Sequence, residues 1–197
     1  MHERTALVER STLETVIRVK LNLDGQGLLT TQDGEGFFNH LLAALCKYAL
    51  WDLDLAQKGD LHVDQHHLVE DIGLCLGQAL RQALGDRAKI RRFGWSMVPM
   101  DEALVQASVD LAGRSTMAMD YEPTADRVGQ FDVRLVREFM DAFAQRAGMA
   151  LHLVFQRGYN DHHVLEAAFK ALGWALRDAV SLDPRRSGVP STKGCLD

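Results

Sequence analysis

The feature that most limits how this chain can fold is that it repeats itself. Residues 60–80, DLHVDQHHLVEDIGLCLGQAL, are echoed at 150–176 by ALHLVFQRGYNDHHVLEAAFKALGWAL. Each stretch carries Leu-His, then His-His-x-x-Glu, then an apolar stripe at helical spacing. The second copy has six more residues between the Leu-His and the His-His pair. A duplicated half-domain is the natural reading.

The flanking segments support it. Residues 15–23 alternate, with Ile17, Val19, Leu21 and Leu23 on one face and Arg18, Lys20 and Asn22 on the other, the pattern of a half-buried strand. An earlier strand fits 3–10, and Asp24-Gly25 reads as a hairpin turn into GLLTT. Residues 35–50 have helical spacing, 53–63 are strand-like, and a helix runs from His66 to Leu84, stopped by Gly85. The second half offers strands at 89–98, 102–111 and 114–121, a helix at 131–148 and a strand at 149–156. A last helix spans about His162 to Val180, with Asn160 or Asp161 as its N-cap. Each half therefore reads β-β-β-α-β-α. The seam falls at Gly85-Asp86, giving repeats of about 1–86 and 87–197 that share one core.

At 197 residues such a pair fits one compact domain. The net charge of −5 argues against a general nucleic-acid partner. It leaves room for a small phosphorylated substrate held in a local basic pocket. Cys46, Cys75 and Cys195 are dispersed, which excludes a disulfide framework or a thiolate zinc site. No apolar run is long enough to be a signal peptide or a membrane span, so a cytoplasmic protein with no membrane partner is expected.

Four of the eight histidines lie in the two pairs, His66-His67 and His162-His163. On a helix, Glu70 and Glu166 share a face with the histidines three and four positions before them. Adjacent histidines point about 100° apart and suit two different ions better than one. Two equivalent metal sites follow, and each needs further ligands. In the first half the preceding helix offers His40; its counterpart falls near Glu138. Nitrogen-rich sites with carboxylates suit zinc, manganese, iron or nickel rather than calcium. His62 and His152, beside the motifs, are candidates for orienting groups or alternative ligands. PSTKG, residues 190–194, resembles an anion cradle, and Arg91, Arg92 and Arg114 are further cations.

These motifs resemble the imidazoleglycerol-phosphate dehydratase family, lyases of histidine biosynthesis. The likeness runs from Arg10-x-Thr12-x-Glu14-Thr15 through Gly36-Phe37-Phe38-x-His40, Gly59-Asp60-Leu61-His62 and both His-His-x-x-Glu segments. It continues through Pro99-Met100-Asp101-Glu102, Gly113-Arg114, Phe169-Lys170-Ala171 and Pro190-Ser191-Thr192-Lys193-Gly194. The resemblance implies an α+β fold, two sheets packed against a central helix layer, of the ribosomal protein S5 domain 2-like type. It implies a stand-alone dehydratase domain with two manganese ions per active site. The metal ligands it implies are His40, His66, His67, Glu70, His162, His163 and Glu166, with Glu138 where other members have histidine.

The implied reaction removes water from imidazole glycerol phosphate to give imidazole acetol phosphate. The proton to be lost sits on an unactivated carbon near an imidazole ring, and metals on the ring nitrogens would turn the ring into an electron source. Glu14, Glu166 and Asp101 are the catalytic candidates. Glu14, Arg92, Arg114, Lys170, Ser191 and Lys193 are the implied substrate-binding groups. Family members form trimers packed into a 24-subunit shell, which makes self-association the expected partnership. Three positions depart from the family pattern: Asn39 for aspartate, Ala44 for glutamine and Tyr48 for histidine. They motivate one alternative, a non-catalytic metal- or imidazole-binding paralogue. A dinuclear hydrolase is a weaker alternative, because the aspartate-rich ligand set it needs is missing.

Overall fold

The computed structural model describes residues 3–196. In the first half, β1 (Thr5–Ser11), β2 (Thr15–Asn22), β3 (Leu29–Gln32), α1 (Gly36–Ala49), β4 (Asp52–Gly59) and α2 (His66–Leu84) follow in that order. In the second, β5 (Phe93–Met100), β6 (Ala103–Asp110) and β7 (Thr116–Met119) precede a two-residue hairpin, β8 (Arg127–Val128) and β9 (Phe131–Asp132). Then come α3 (Leu135–Ala147), β10 (Ala150–Arg157) and α4 (Asp161–Val180).

The two four-stranded sheets have the same plan. Their orders are β1-β2-β4-β3 and β5-β6-β10-β7. In each, three strands are antiparallel and the short edge strand runs parallel to its neighbour. The alternation in β2 puts Ile17, Val19 and Leu21 into the core, as the sequence pattern requires. The α+β class expected from the sequence is what the chain adopts.

Helices fill the space between the sheets. α2 lies on β1 and β2, α4 lies on β5 and β6, α1 packs on α4 and α3 on α2. Phe38, Phe131, Phe139, Phe143 and Phe169 join these helices through ring contacts of 5.2–5.7 Å, all five fully buried. Each such burial contributes about 1.5–3 kcal/mol. α2 and α3 approach so closely that side chains are excluded at two points. A Cβ on Gly73 would lie 2.7 Å from the Phe139 carbonyl oxygen, and one on Gly77 2.5 Å from that of Phe143.

Four sequence expectations are corrected. Asp24-Gly25 does not begin a hairpin: β3 joins the far side of β4, because β2 is already paired on both edges. The Asp52 carboxylate accepts from the Gln26 and Leu28 amides at 2.8 and 3.1 Å, drawing this loop around the start of β4. β4 stops at Gly59, and Leu61, His62 and Val63 form an exposed turn. β5 begins at Phe93 rather than 89, since Lys89 and Arg92 take positive φ (62° and 74°) where the chain passes the end of α4. α3 begins at Leu135, four residues late, because Phe131 and Asp132 pair with β8 and the Phe131 ring stacks on Phe38.

Candidate metal centre and active site

Both His-His pairs open a helix at the same end of the molecule's two halves. In each, a side chain two residues upstream caps the first histidine amide. Asp64 accepts from His66 at 2.8 Å and Asn160 accepts from His162 at 3.0 Å. Asn160, not Asp161, is therefore the α4 N-cap.

The first histidine of each pair faces the glutamate one turn on. His162 Nε2 lies 3.3 Å from Glu166, and His66 Nε2 3.8 Å from Glu70. The second is held from behind by a carboxylate on another element. His67 Nδ1 lies 3.1 Å from Asp60 and His163 Nδ1 2.8 Å from Glu102. That leaves Nε2 facing outward, 3.8 Å from Glu14 in one half and 3.5 Å from Asp101 in the other. The rings within each pair are nearly perpendicular, at 89° and 81°.

The carboxylates set the charge of these rings. The hydrogen bond to Asp60 raises the His67 pKa, and that to Glu102 raises the His163 pKa. In return the His163 bond, with amides of Asn160 and Tyr159, pulls Glu102 down to about 2. Burial pushes the Glu166 carboxyl up, but hydrogen bonds from Lys170 and His40 outweigh it and hold it below the usual carboxylate range.

α1 brings His40 to this centre. Its Nε2 is 3.0 Å from Glu166 Oε2, and donor atoms of His40, His162 and Glu166 all lie within 4.8 Å of one another. Two imidazoles and a carboxylate at this spacing fit a first-row divalent ion. Phe37 packs on His162 at 4.9 Å and on His40 at 6.2 Å, fixing both rings. The other oxygen of Glu166 accepts from Lys170 at 2.9 Å. Beside this group lies a cleft of about 400 Å³ lined by His40, Ala44, Lys47, Tyr48, Glu166 and Lys170. The cation of Lys170 sits 5.9 Å from the Tyr48 ring.

Elsewhere the donors remain apart. Among the described residues, His66, His67, Glu70, Glu138 and His163 close no group of three within the chain. Glu138 is half-buried in the first turn of α3.

The candidate substrate-binding groups divide between two ends of the molecule. Glu14 and Lys170 lie with the histidines. Arg92 bonds Asp110 at 2.7 Å and donates to the Pro190 carbonyl at 2.9 Å, tying down the loop that carries Ser191 and Lys193. Ser191 Oγ accepts from the Lys193 amide at 3.1 Å, and Arg114 is exposed just beyond the end of β6. β6 runs from Ala103, next to Glu102, to Asp110, next to Arg92. At about 3.3 Å per residue, those ends stand about 23 Å apart.

Several groups were not readable from the sequence. The histidine holders are Asp60 and Glu102, not the expected His62 and His152. His62 sits in the exposed turn and His152 on β10 opposite Ser108. The Leu-His echo is thus not a structural equivalence: the true match is Gln57-Lys58-Gly59 with Gln156-Arg157-Gly158, each closing a strand. The Asn39 side chain is engaged away from the His40 ring. Its amide bridges the Asp33 carbonyl and Gln57, at 2.9 and 3.0 Å.

Residues 33–176 match the family model described as imidazoleglycerol-phosphate dehydratase. The chain belongs to the imidazoleglycerol-phosphate dehydratase family. Dehydratases of this name are hydro-lyases of histidine biosynthesis. The relative from Moorella thermoacetica is 51% identical over 98% of each chain. The one from Jannaschia sp. is 50% identical over 98% of this chain and all of its own. Two solved dehydratases share the fold. The Staphylococcus aureus enzyme superimposes with a TM-score of 0.82 at 32% identity, covering 91% of this chain and 99% of its own. The Pyrococcus furiosus enzyme, in complex with (S)-C348, gives 0.81 at 38% identity, covering 96% and 100%. No helix among the described residues is long and apolar enough to cross a membrane.

Proposed function

We propose that this chain converts imidazole glycerol phosphate to imidazole acetol phosphate and water, as a cytoplasmic, manganese-dependent enzyme with two ions per active site. The observation that carries this reading is the donor group of His40, His162 and Glu166 beside the Lys170 cleft, in a chain of this family. His66, His67, Glu70, His163 and Glu138 are the further candidates for holding the ions. When bound, manganese supplies Lewis acidity to the imidazole ring of the substrate.

The chain's own groups do the rest. Glu166 is engaged by His40, His162 and Lys170, which suits a ligand and not a mobile proton carrier. Glu14 is half-exposed and faces only the outward edge of His67. It is the group assigned to take the proton from the carbon one removed from the ring, while the hydroxyl on the ring-bearing carbon leaves as water. The enol so formed becomes the ketone. Asp101 stands in the matching place beside His163 and completes the carboxylate set. Lys170 supplies positive charge in the cleft.

Arg92, Arg114, Ser191 and Lys193 are assigned to the phosphate. A span of about 23 Å exceeds the length of the substrate, so the phosphate and the ring cannot reach both sets in one chain. Sites completed by a neighbouring chain resolve this, and the trimers and 24-subunit shell that the family resemblance implies would supply such neighbours. The matched sheets and matched histidine geometry likewise support two fused repeats, about 1–86 and 87–197.

The test is direct. Protein purified with manganese is assayed for imidazole acetol phosphate; no turnover by metal-loaded, assembled protein overturns the proposal. Chelation followed by light scattering checks the assembly: particle size unchanged without metal rules out metal-dependent assembly.

A further inference from the structure

The β1–β2 turn carries Glu14 at its tip. Leu13 beside it is fully exposed, so packing does not hold the tip in place. Local hydrogen bonds shape it. Thr12 Oγ1 accepts from the Glu14 and Thr15 amides at 3.1 and 2.9 Å, and the Thr12 amide donates to the Thr15 carbonyl at 2.9 Å. A tight turn of this kind fixes its own shape but not its direction.

The direction comes from Asp71, a residue no ligand or catalytic role accounts for. Asp71 is 6% exposed and lies on α2 one turn after His67. One of its oxygens accepts from the Thr15 hydroxyl, and Thr15 is itself buried. The other accepts from Arg10 Nε at 2.7 Å. Arg10 precedes the tip on β1 and Thr15 follows it on β2. A single buried carboxylate thus binds both legs of the turn to the helix that carries His67. Thr15 also pairs with Gly59 across the sheet, and the next residue, Asp60, holds His67 from behind. Glu14, Asp60 and His67 are therefore referenced to one another through a few rigid bonds.

We propose that Asp71, acting through Thr15 and Arg10, is a positioning residue for Glu14. It fixes the Glu14 carboxylate against the outward nitrogen of His67. Apolar side chains could fill the same space, but only paired hydrogen bonds set the tip's direction. The proposal rests on the proton-moving role given to Glu14 above. A misplacement of about 1 Å in a reacting group is enough to lower a rate about a hundredfold.

Thr15→Val keeps the shape and removes the hydroxyl. In the metal-loaded assembled enzyme it lowers kcat by about ten- to a hundredfold, while KM and the manganese stoichiometry measured by calorimetry stay near wild type. Thr15→Ser restores kcat, and in a Glu14→Gln background Thr15→Val has almost no further effect. Amide exchange in residues 12–15, followed by mass spectrometry, speeds up in Thr15→Val while exchange in α2 does not. Arg10→Met shifts the same readouts in the same direction and serves if Thr15→Val fails to fold. Equal losses in the wild-type and Glu14→Gln backgrounds, failure of Thr15→Ser to rescue, or unchanged amide exchange would each overturn the proposal. Wild-type turnover by Glu14→Gln alone overturns the Glu14 role itself, and this proposal with it.

Discussion

Asp161 stands one residue before the second histidine pair and is 5% exposed. Its carboxylate gathers four donors: the Tyr121 hydroxyl, the Thr124 amide at 3.1 Å, the Thr124 hydroxyl at 2.7 Å and the Ala125 amide at 2.7 Å. Asp161→Ala removes the acceptor from all of them, at unequal cost. Thr124 and Ala125 are exposed and turn to water, so each bond they lose costs about 0.5–1 kcal/mol. Tyr121 is buried, and its stranded hydroxyl costs about 1–3 kcal/mol. The expected loss is about 2.5–6 kcal/mol. Urea unfolding of the metal-free chain, followed by circular dichroism at fixed chain concentration, measures it. Tyr121→Phe gives an internal check. Added to Asp161→Ala, it should recover about 1 kcal/mol or more, because it removes the stranded group. A cost for Asp161→Ala below about 1 kcal/mol, or a second loss when Tyr121→Phe is added, refutes the reasoning. The carboxyl is pushed up by burial, yet its hydrogen bonds, led by that from Tyr121, hold it below its ordinary value. Its stabilising contribution is therefore present above the unfolded pKa and is lost as pH falls through the folded one.

Glu166→Gln should abolish one bound manganese per chain, or weaken it by more than about tenfold, in calorimetry; full stoichiometry at wild-type affinity counts against His40, His162 and Glu166 as a metal centre. In the metal-free chain the His163 ring should titrate above 6.5 by NMR, and Glu102→Gln should bring it back toward that value. Because the His163 pKa is raised and the Glu102 pKa is lowered from 4.5 to about 2, the stability from this pair is complete between 4.5 and 6.5; it declines as pH rises through the folded His163 value and as pH falls toward that of Glu102. Gly77→Ala gains about 1 kcal/mol of helix propensity but drives a Cβ onto the Phe143 carbonyl, which overpacking prices at about 1–3 kcal/mol. A net loss in the urea midpoint is expected, and a gain would mean α2 and α3 separate easily.

What the sequence made legible followed from short-range period. The alternation in residues 15–23 defined β2, and the stripes after both His-His pairs defined α2 and α4 within a residue or two. Class came with them, and so did the repeat order, apart from the β8–β9 hairpin that precedes α3 in the second half. Strand partners were less visible. GLLTT looks like the second leg of a hairpin, but pairing depends on which edge is free, and β4, which begins 30 residues after the end of β2, occupies that edge. The same limit applied at the site. His40 and Glu166 were found because they lie in recognisable motifs. Asp60 and Glu102 were visible as residues but not as holders of His67 and His163, since each reaches the ring from a separate element. The Leu-His echo misled because identical letters fell in a turn in one half and a strand in the other.

β5 is a full-length edge strand with an uncharged, largely apolar outer row. Phe93, Trp95 and Met97 are 57%, 68% and 46% exposed. Short edges blunt self-pairing, and the partner edges β3 and β7 are only four residues each. β5 lacks that protection until Pro99, whose missing N–H interrupts any ladder near its end. A newly made chain therefore carries a sticky ribbon from the moment its second sheet forms. Two such ribbons can pair edge to edge, so the risk of aggregation rises with chain concentration.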